Sequence, residues 1–484
     1  MKKRITKIVV ISLVAVLLAT SLILGIKAID KNAGDTIRSG EGFLATTWAW
    51  FFPEKEEPVD IKMFSAYTDV EQFKNVPAMV TKGQIVPAED YGNENYLIQV
   101  NGSTEEEYNE YLKTLEKAGF KKHSENGEDK MEGYAVTAAF QKDNLTLTVS
   151  HGLNIDRTFI SASYDLPLSD HLIYKDEYME GADPNAKTKV HMLQMEASQG
   201  CSFIYELKNG HFVIHDGGLQ QEAEYLLDYL DSLTPGDEIP VIEAWFISHC
   251  HNDHYGAMLK ITQRQNWLNR IRVNGFYYVE PSATLFTNLT TQTDPSGNSV
   301  ITAAYQLFKT EDGGTPEFYR PQFGQRYYFA DIMIDVTMTL EQLPLEGFRG
   351  TDFNDTSLWL MHHIEGQRML FAGDSGQSGT YAAIEMFDKE YFDMEIFIPF
   401  HHGINVYDHF TNYCTYDTVL YPSWRAMSIW ETREDLKAEL ENDNLKAKAK
   451  EVYHFGEGTV VVTFPYHVGE AEVLEGFTAT YVPL

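Results

Sequence analysis

The sequence predicts an α/β chain: an αββα sandwich over residues 185–484, preceded by a small α+β domain over 58–170, a linker over 29–57 and an N-terminal transmembrane helix within 1–28. Three observations predict it. Apolar runs of strand length alternate with helix-period segments through the C-terminal half, each run stopping at a turn or at polar residues. Between 58 and 167, strand-like runs surround one capped helix. The first residues are basic and lead into a long uncharged stretch.

Lys2, Lys3, Arg4 and Lys7 precede residues 8–26, nineteen residues without a charge. As a helix they would span roughly 28 Å, close to the hydrocarbon thickness of a bilayer. The basic end stays in the cytoplasm, so everything after Lys27 is expected outside, on a single-pass membrane protein. A secreted protein with a cleaved signal is the alternative. The stretch is longer than the usual signal core of about 7–15 residues, and no Ala-x-Ala stands near its end. Phe43, Trp48, Trp50, Phe51 and Phe52 suit either the outer membrane interface or the first packed segment.

In the small domain, Tyr96-Leu97-Ile98-Gln99-Val100 reads as a strand. Asn101-Gly102 then turns into Ser103-x-x-Glu106, a capping box for a helix with Tyr108, Tyr111, Leu112 and Leu115 on one face and Gly119 at its end. Runs 134–141 and 145–149 flank Lys142-Asp143-Asn144 as a hairpin, and 158–162 adds a strand. No ligand cluster appears here, so the domain is read as a packing support or as a recruiting module.

Within the sandwich, Phe212-Val213-Ile214-His215-Asp216-Gly217-Gly218 is an apolar strand ending in a tight turn. A helix over 219–233 follows, with Leu219, Ala223, Leu226, Leu227, Leu230 and Leu233 at helical spacing. The buried-strand run 241–247 then opens into Ser248-His249-Cys250-His251-Asn252-Asp253-His254. Three imidazoles and a carboxylate at the end of a strand are ligands for a divalent metal such as zinc, manganese or iron, because one short loop brings them to one point. Cys250 reads as a small buried residue, since a thiolate there would turn its neighbours away. Further on come Met369-Leu370-Phe371-Ala372-Gly373-Asp374-Ser375 and Ile396-Phe397-Ile398-Pro399-Phe400-His401-His402-Gly403. The interval 269–350, rich in tyrosines, reads as an elaboration beside the site, its tyrosines more often core and rim than a binding box.

These four stations, in this order, resemble the metallo-β-lactamase fold hydrolases. The resemblance implies metal ligands at His249, His251, Asp253, His254, Asp374 and His402, with Asp374 able to bridge two ions. It further implies that Asp216 and His401 support the ligands from behind. One station departs: the family places another histidine between the second and fourth motifs, and none occurs from Tyr255 to Leu360. His362 and His363 sit in a strand-like run and read as residues facing opposite sides. Just before them, Asn354-Asp355-Thr356-Ser357-Leu358 resembles the extracellular metallo-β-lactamase-like domain of competence DNA-uptake proteins. Asp355 is then either a substitute ligand or a turn residue bonded to its own backbone. The position near His249 and His251 is expected to hold metal more weakly than the one around Asp253, His254, Asp374 and His402.

One or two divalent ions, zinc foremost, would activate a water and polarise the scissile group, with Asp253, His254 and Asp374 as the catalytic set. Lys and Arg number 38 against 71 Asp and Glu, a formal charge of −33, so nucleic acid is disfavoured as a partner against a small phosphoester. Three scattered cysteines, Cys201, Cys250 and Cys414, make no disulfide framework. The leading expectation is a membrane-anchored extracytoplasmic hydrolase of phosphoesters. A hydrolase of esters, amides or lactones, lactams included, and a non-catalytic surface binding protein are the alternatives.

Overall fold

The computed structural model describes residues 62–92, 94–126, 131–195, 200–282, 301–343, 353–404, 407–423, 443–474 and 476. The expected membrane helix and the aromatic cluster at 43–53 lie outside the described residues. Among those described, no helix is long and apolar enough to cross a membrane.

Strands β1 (Gln84–Asp90), β2 (Tyr96–Asn101), β3 (Lys121–Asn126), β4 (Ala135–Lys142), β5 (Leu145–Gly152) and β6 (Arg157–Tyr164) form one antiparallel sheet in the order β1-β2-β6-β5-β4-β3. Helix α1 (Glu105–Lys117) covers one face, its Tyr108, Tyr111, Leu112 and Leu115 clustering with Ile98, Val100, Phe140 and Leu147. The capping box sits one residue later than the sequence pattern predicts. Glu107 N donates to Thr104 Oγ1 at 3.2 Å and Thr104 N to Glu107 Oε2 at 3.0 Å. Ser103 is instead buried, donating to Val100 O at 3.0 Å and meeting Thr158 Oγ1 at 2.8 Å. Both frames carry a hydroxyl followed by a glutamate; burial of Ser103 decides between them. The edge strands β1 and β3 lack an alternating apolar signature because edges carry charge and face water.

The other face of this sheet carries Leu97, Ala135 and Phe159 into the main core. Thr137 and Ser150 donate to Phe323 O at 3.2 and 2.6 Å, and Asn126 Nδ2 donates to Gly324 O at 2.8 Å. Gly324 has φ +83°, and a Cβ there would collide with Thr137 Oγ1, so close approach of the sheet requires glycine.

Two mixed sheets build the rest. The first contains β7 (Lys189–Met192), β8 (Ser202–Glu206), β9 (Phe212–Asp216), β10 (Val241–Ile247), β11 (Arg272–Val273), β12 (Gly275–Tyr278), β13 (Glu317–Tyr319), β21 (Val460–Thr463) and β22 (Glu472–Val473). Its order is β13-β12-β10-β9-β8-β7-β21-β22, with β11 added on β10. The second runs in chain order through β14 (Arg326–Phe329), β15 (Ile332–Met338), β16 (Trp359–Ile364), β17 (Gln367–Phe371), β18 (Ile396–Phe397), β19 (Thr418–Tyr421) and β20 (Glu451–His454). They face each other: Phe203 meets Phe371 with ring centroids 5.8 Å apart, and His215 Nε2 lies 3.0 Å from His362 Nε2.

Helices cover the outer faces. Trp245, one residue before the inward-facing Phe246, lies against the turn that α3 (Asn252–Thr262) contacts through Ala257. On the other sheet α5 (Gln377–Met386) brings Gly379 against Met338 and Trp359. Helix α2 (Ala223–Leu233) buries Ala223, Leu226, Leu227 and Leu230, and starts after a short 3-10 turn rather than at Leu219. Helix α4 (Gln265–Leu268) follows α3. The result is a mixed α/β fold with helix, sheet, sheet and helix in layers. The tyrosines of the 269–350 interval are largely core: Tyr277 stacks on Phe246 at 4.6 Å, and Tyr327 is buried. Strands β9, β10, β12 and β13 are parallel, as are β17 to β20. Parallel strands deliver the loops after them to one edge, where sheet-based sites form.

Candidate metal centre

Each ligand-type residue leaves the end of a parallel strand. Asp216 ends β9 with φ +58°, a left-handed conformation that turns the chain into Gly217-Gly218. His249 and His251 follow β10, and Asp253 and His254 occupy the first turn of α3. Asp374 follows β17 through Gly373, whose φ is +51°. After β18, His401 and His402 both have positive φ, +49° and +57°, so the pair is held in a sparsely populated conformation.

The side chains converge in two overlapping groups, Asp253 with His254, Asp374 and His402, and His249 with His251 and Asp374; within each, the ligand atoms lie within 4.8 Å of one another. Asp374 Oδ2 is 3.1 Å from His254 Nε2, 3.5 Å from His402 Nε2 and 3.8 Å from His249 Nε2. His402 Nε2 is 3.0 Å from Asp253 Oδ2, and His249 Nε2 is 2.9 Å from His251 Nδ1. Asp374 thus belongs to both groups. Asp355 joins neither; its Oδ1 lies over Gly376, where a Cβ would displace it. His401 stands at the rim, its Nε2 3.7 Å from Asp374 Oδ2.

Hydrogen bonds assign the imidazole tautomers. Asp216 accepts the Ser248 amide at 2.8 Å, the Ser248 hydroxyl at 2.8 Å and His254 Nδ1–H at 2.7 Å. Ser248 Oγ, its proton given to Asp216, accepts His249 Nδ1–H at 3.0 Å. His402 Nδ1–H donates to Pro422 O at 3.0 Å, a carbonyl that can only accept. So each of His249, His254 and His402 has its Nδ1 proton fixed away from the cluster and turns Nε2 toward it, the nitrogen that binds a metal once any proton there is displaced. His254 Nε2 is buried against the Asp374 carboxylate.

Electrostatics make the same demand for a cation. Burial alone would depress His254, but Asp374, Asp216 and Asp253 outweigh it and hold the imidazole well above its usual range. His402 is raised likewise by Asp374 and Asp253 against its burial. Burial opposes ionisation of Asp374 and Asp253 too, yet the facing histidines keep both carboxylates below their ordinary range. Burial, with His254 and His251 beside it, pushes His249 well below its ordinary value. Buried carboxylates surrounding inward-turned imidazole nitrogens are a donor set for a divalent ion that displaces their protons, and the residues present fit one.

Several participants escape the sequence reading. Cys201 is buried beside Asp216 and His254, and burial with the neighbouring Asp216 keeps it a neutral thiol. Ser248 and Ser357 link the ligands, and the Pro422 carbonyl orients His402. Only Ser248 stands next to a ligand in sequence; the others arrive from distant loops. Cys250 is buried and bonded toward Tyr278. His362 faces the opposite sheet while His363 Nε2 meets Asp335 Oδ2 at 2.8 Å, so the two do face opposite sides.

No protein-family model matches the sequence, and no curated protein matches it. Solved structures that match include the metallo-β-lactamase fold protein YhfI from Bacillus subtilis, at TM-score 0.33 and 13% identity, covering 56% of this chain and 97% of that one. Tm1679, a metal-dependent hydrolase of the β-lactamase superfamily, matches at TM-score 0.31 and 14% identity over 55% of this chain and 95% of its own. Zn(2+)-bound PqqB from Methylobacterium extorquens matches at TM-score 0.28 and 10% identity over 48% and 71%. Likeness this low leaves the layers and the site to be read from this chain's own residues.

Proposed function

We propose that the chain is a metal-dependent hydrolase anchored in the cell membrane with its catalytic region outside the cytoplasm, acting on phosphoesters and foremost on a small phosphodiester. The observation that carries the reading is the convergence of Asp253, His254, Asp374 and His402, with His254 and His402 turning Nε2 toward the two carboxylates. The Asn354-Asp355-x-Ser357-Leu358 run and the His-His-Gly turn support the phosphodiester choice by their resemblance to the competence DNA-uptake proteins. Lys2, Lys3, Arg4 and Lys7 before residues 8–26 support the anchor. The charge of −33 favours a small substrate over a polynucleotide.

Asp253, His254, Asp374 and His402 would hold one divalent ion, and His249, His251 and the shared Asp374 a second; zinc suits these donors best, and manganese or iron also fit. When bound, such an ion polarises a phosphoryl oxygen and acidifies a water at neutral pH. Asp216 and Ser248 keep His254 and His249 in the ligating tautomer. Asp253, held ionised by His254 and His402, would serve first as a ligand, and as a proton acceptor beside the reacting group it is a weak base because those histidines lower its proton affinity. His401, with 28% of its side chain exposed, is placed to hold a proton at Nε2 for the leaving oxygen.

The test is turnover by the full-length chain in detergent, supplied with Zn²⁺ or Mn²⁺, on bis-p-nitrophenyl phosphate, p-nitrophenyl phosphate, a chromogenic lactam and single-stranded DNA. Metal-dependent cleavage of the diester, abolished by Asp374→Ala, is expected. Cleavage of the lactam alone would move the substrate to esters and amides. Bound metal with no turnover on any of them would leave a binding protein.

A further inference from the structure

Within the stretch from Tyr255 to Leu360, which holds no histidine, the chain places Ser357 against the ligand loops. The hydroxyl sits between two ligands of the same metal position: Asp374 N donates to Ser357 Oγ at 3.1 Å, and His249 Nδ1 lies 3.3 Å away. Because Nδ1 carries the ring proton, shared with Ser248 Oγ at 3.0 Å, Ser357 Oγ accepts twice and uses both lone pairs. Space is equally constrained. A Cβ on Gly373 would come within 2.8 Å of Ser248 Cβ and 2.9 Å of Ser357 Oγ, so the loop bearing Asp374 threads between the two serines. Leu358 N donates to Ser248 O at 3.1 Å, fastening Ser357 to the strand end that bears His249. Ser357 is 2% exposed, so no water competes for its oxygen.

We propose that Ser357 is the positioning residue of the His249, His251 and Asp374 position: its Oγ fixes the loop of Asp374 to His249, so that two imidazoles and a shared carboxylate hold an ion without a further histidine. The proposal rests on the metal-dependent reading above. Removing such an outer partner costs about 10- to 100-fold in metal affinity. The other position, which takes His254 and His402, touches Ser357 only through the Asp374 amide and should be far less affected.

The experiment is titration of metal-free full-length chain in detergent with Co²⁺, following the visible absorption and the bound ion per chain, for wild type, Ser357→Ala and Ser357→Thr. Wild type should fill in two phases. Ser357→Ala should weaken the looser phase by about 10- to 100-fold and leave the tighter one nearly in place, while Ser357→Thr, which restores the hydroxyl, should return toward wild type. The thermal midpoint of each metal-free protein separates this from misfolding. A Ser357→Ala titration identical to wild type, loss of both phases together, or a Ser357→Thr protein as weak as alanine overturns the positioning role. Wild type that binds no Co²⁺ overturns the metal reading itself.

Discussion

At the scale of single residues, charge and tautomer are decided by neighbours distant in sequence. His402 and His401 are adjacent, yet His402 is buried with Nδ1 bonded to Pro422 O and Nε2 on Asp253, while His401 stands at the rim. His402→Ala should therefore cost bound metal and turnover together, and His401→Ala should cost turnover with metal retained; the reverse ranking, read by metal analysis and diester hydrolysis, would move the ligand to His401. A second residue-scale expectation concerns acid. Burial holds His362 neutral with its pKa lowered to about 3, and His151 lowered to about 4. A folded value below the unfolded one, about 6.5, means that the unfolded chain binds the extra proton. The native state is thus fully favoured above about pH 6.5 and loses about 1.4 kcal/mol per pH unit for each such group as pH falls toward the folded value. His362→Leu should flatten the fall in unfolding free energy between pH 6 and 4 by about that slope; denaturant titrations with equal slopes for both proteins would contradict it.

Elements place these residues, and one buried ion pair ties three of them together. Arg320, 4% exposed, donates to Glu341 Oε1 at 2.6 Å, to Glu280 O at 2.8 Å and to Tyr91 O at 3.0 Å. It therefore joins the six-stranded sheet to both sheets of the sandwich. Arg320→Met should destabilise by about 3–5 kcal/mol by stranding the Glu341 charge, whereas pairing it with Glu341→Met should recover much of the loss. Equal stability of the two variants by chemical denaturation would show the carboxylate to be solvated. At this scale the sequence was legible where strands are buried on both faces. The run 241–247 coincides with β10, and the four ligand stations all end apolar strands. The polar edges β1 and β3 were not legible because edge strands carry charge instead of an apolar alternation, and the frame of the α1 cap and the reach of Ser357 were not because they are settled by partners 55 and 17 residues away, Thr158 for Ser103 and Asp374 for Ser357. In the tyrosine-rich interval an apolar period alone cannot tell a site rim from a sheet core.

At the scale of the whole molecule, an acidic chain carries a cation-demanding cluster and a basic, then apolar, N-terminus. If residues 8–26 anchor it, carbonate washing should leave the full chain in the membrane pellet and detergent should release it, while a chain lacking residues 1–28 should stay in the wash; carbonate release of the full chain would contradict the anchor. Every role proposed for this chain depends on Asp253, His254, Asp374 and His402 holding a metal. The most direct test is the metal content of the purified full-length chain after stripping and exposure to Zn²⁺, measured beside Asp374→Ala. At least one tightly held ion is expected in wild type and a large loss in Asp374→Ala, because that carboxylate serves both positions. A wild-type chain that emerges with no metal, or an Asp374→Ala chain that retains all of it, would contradict the claim.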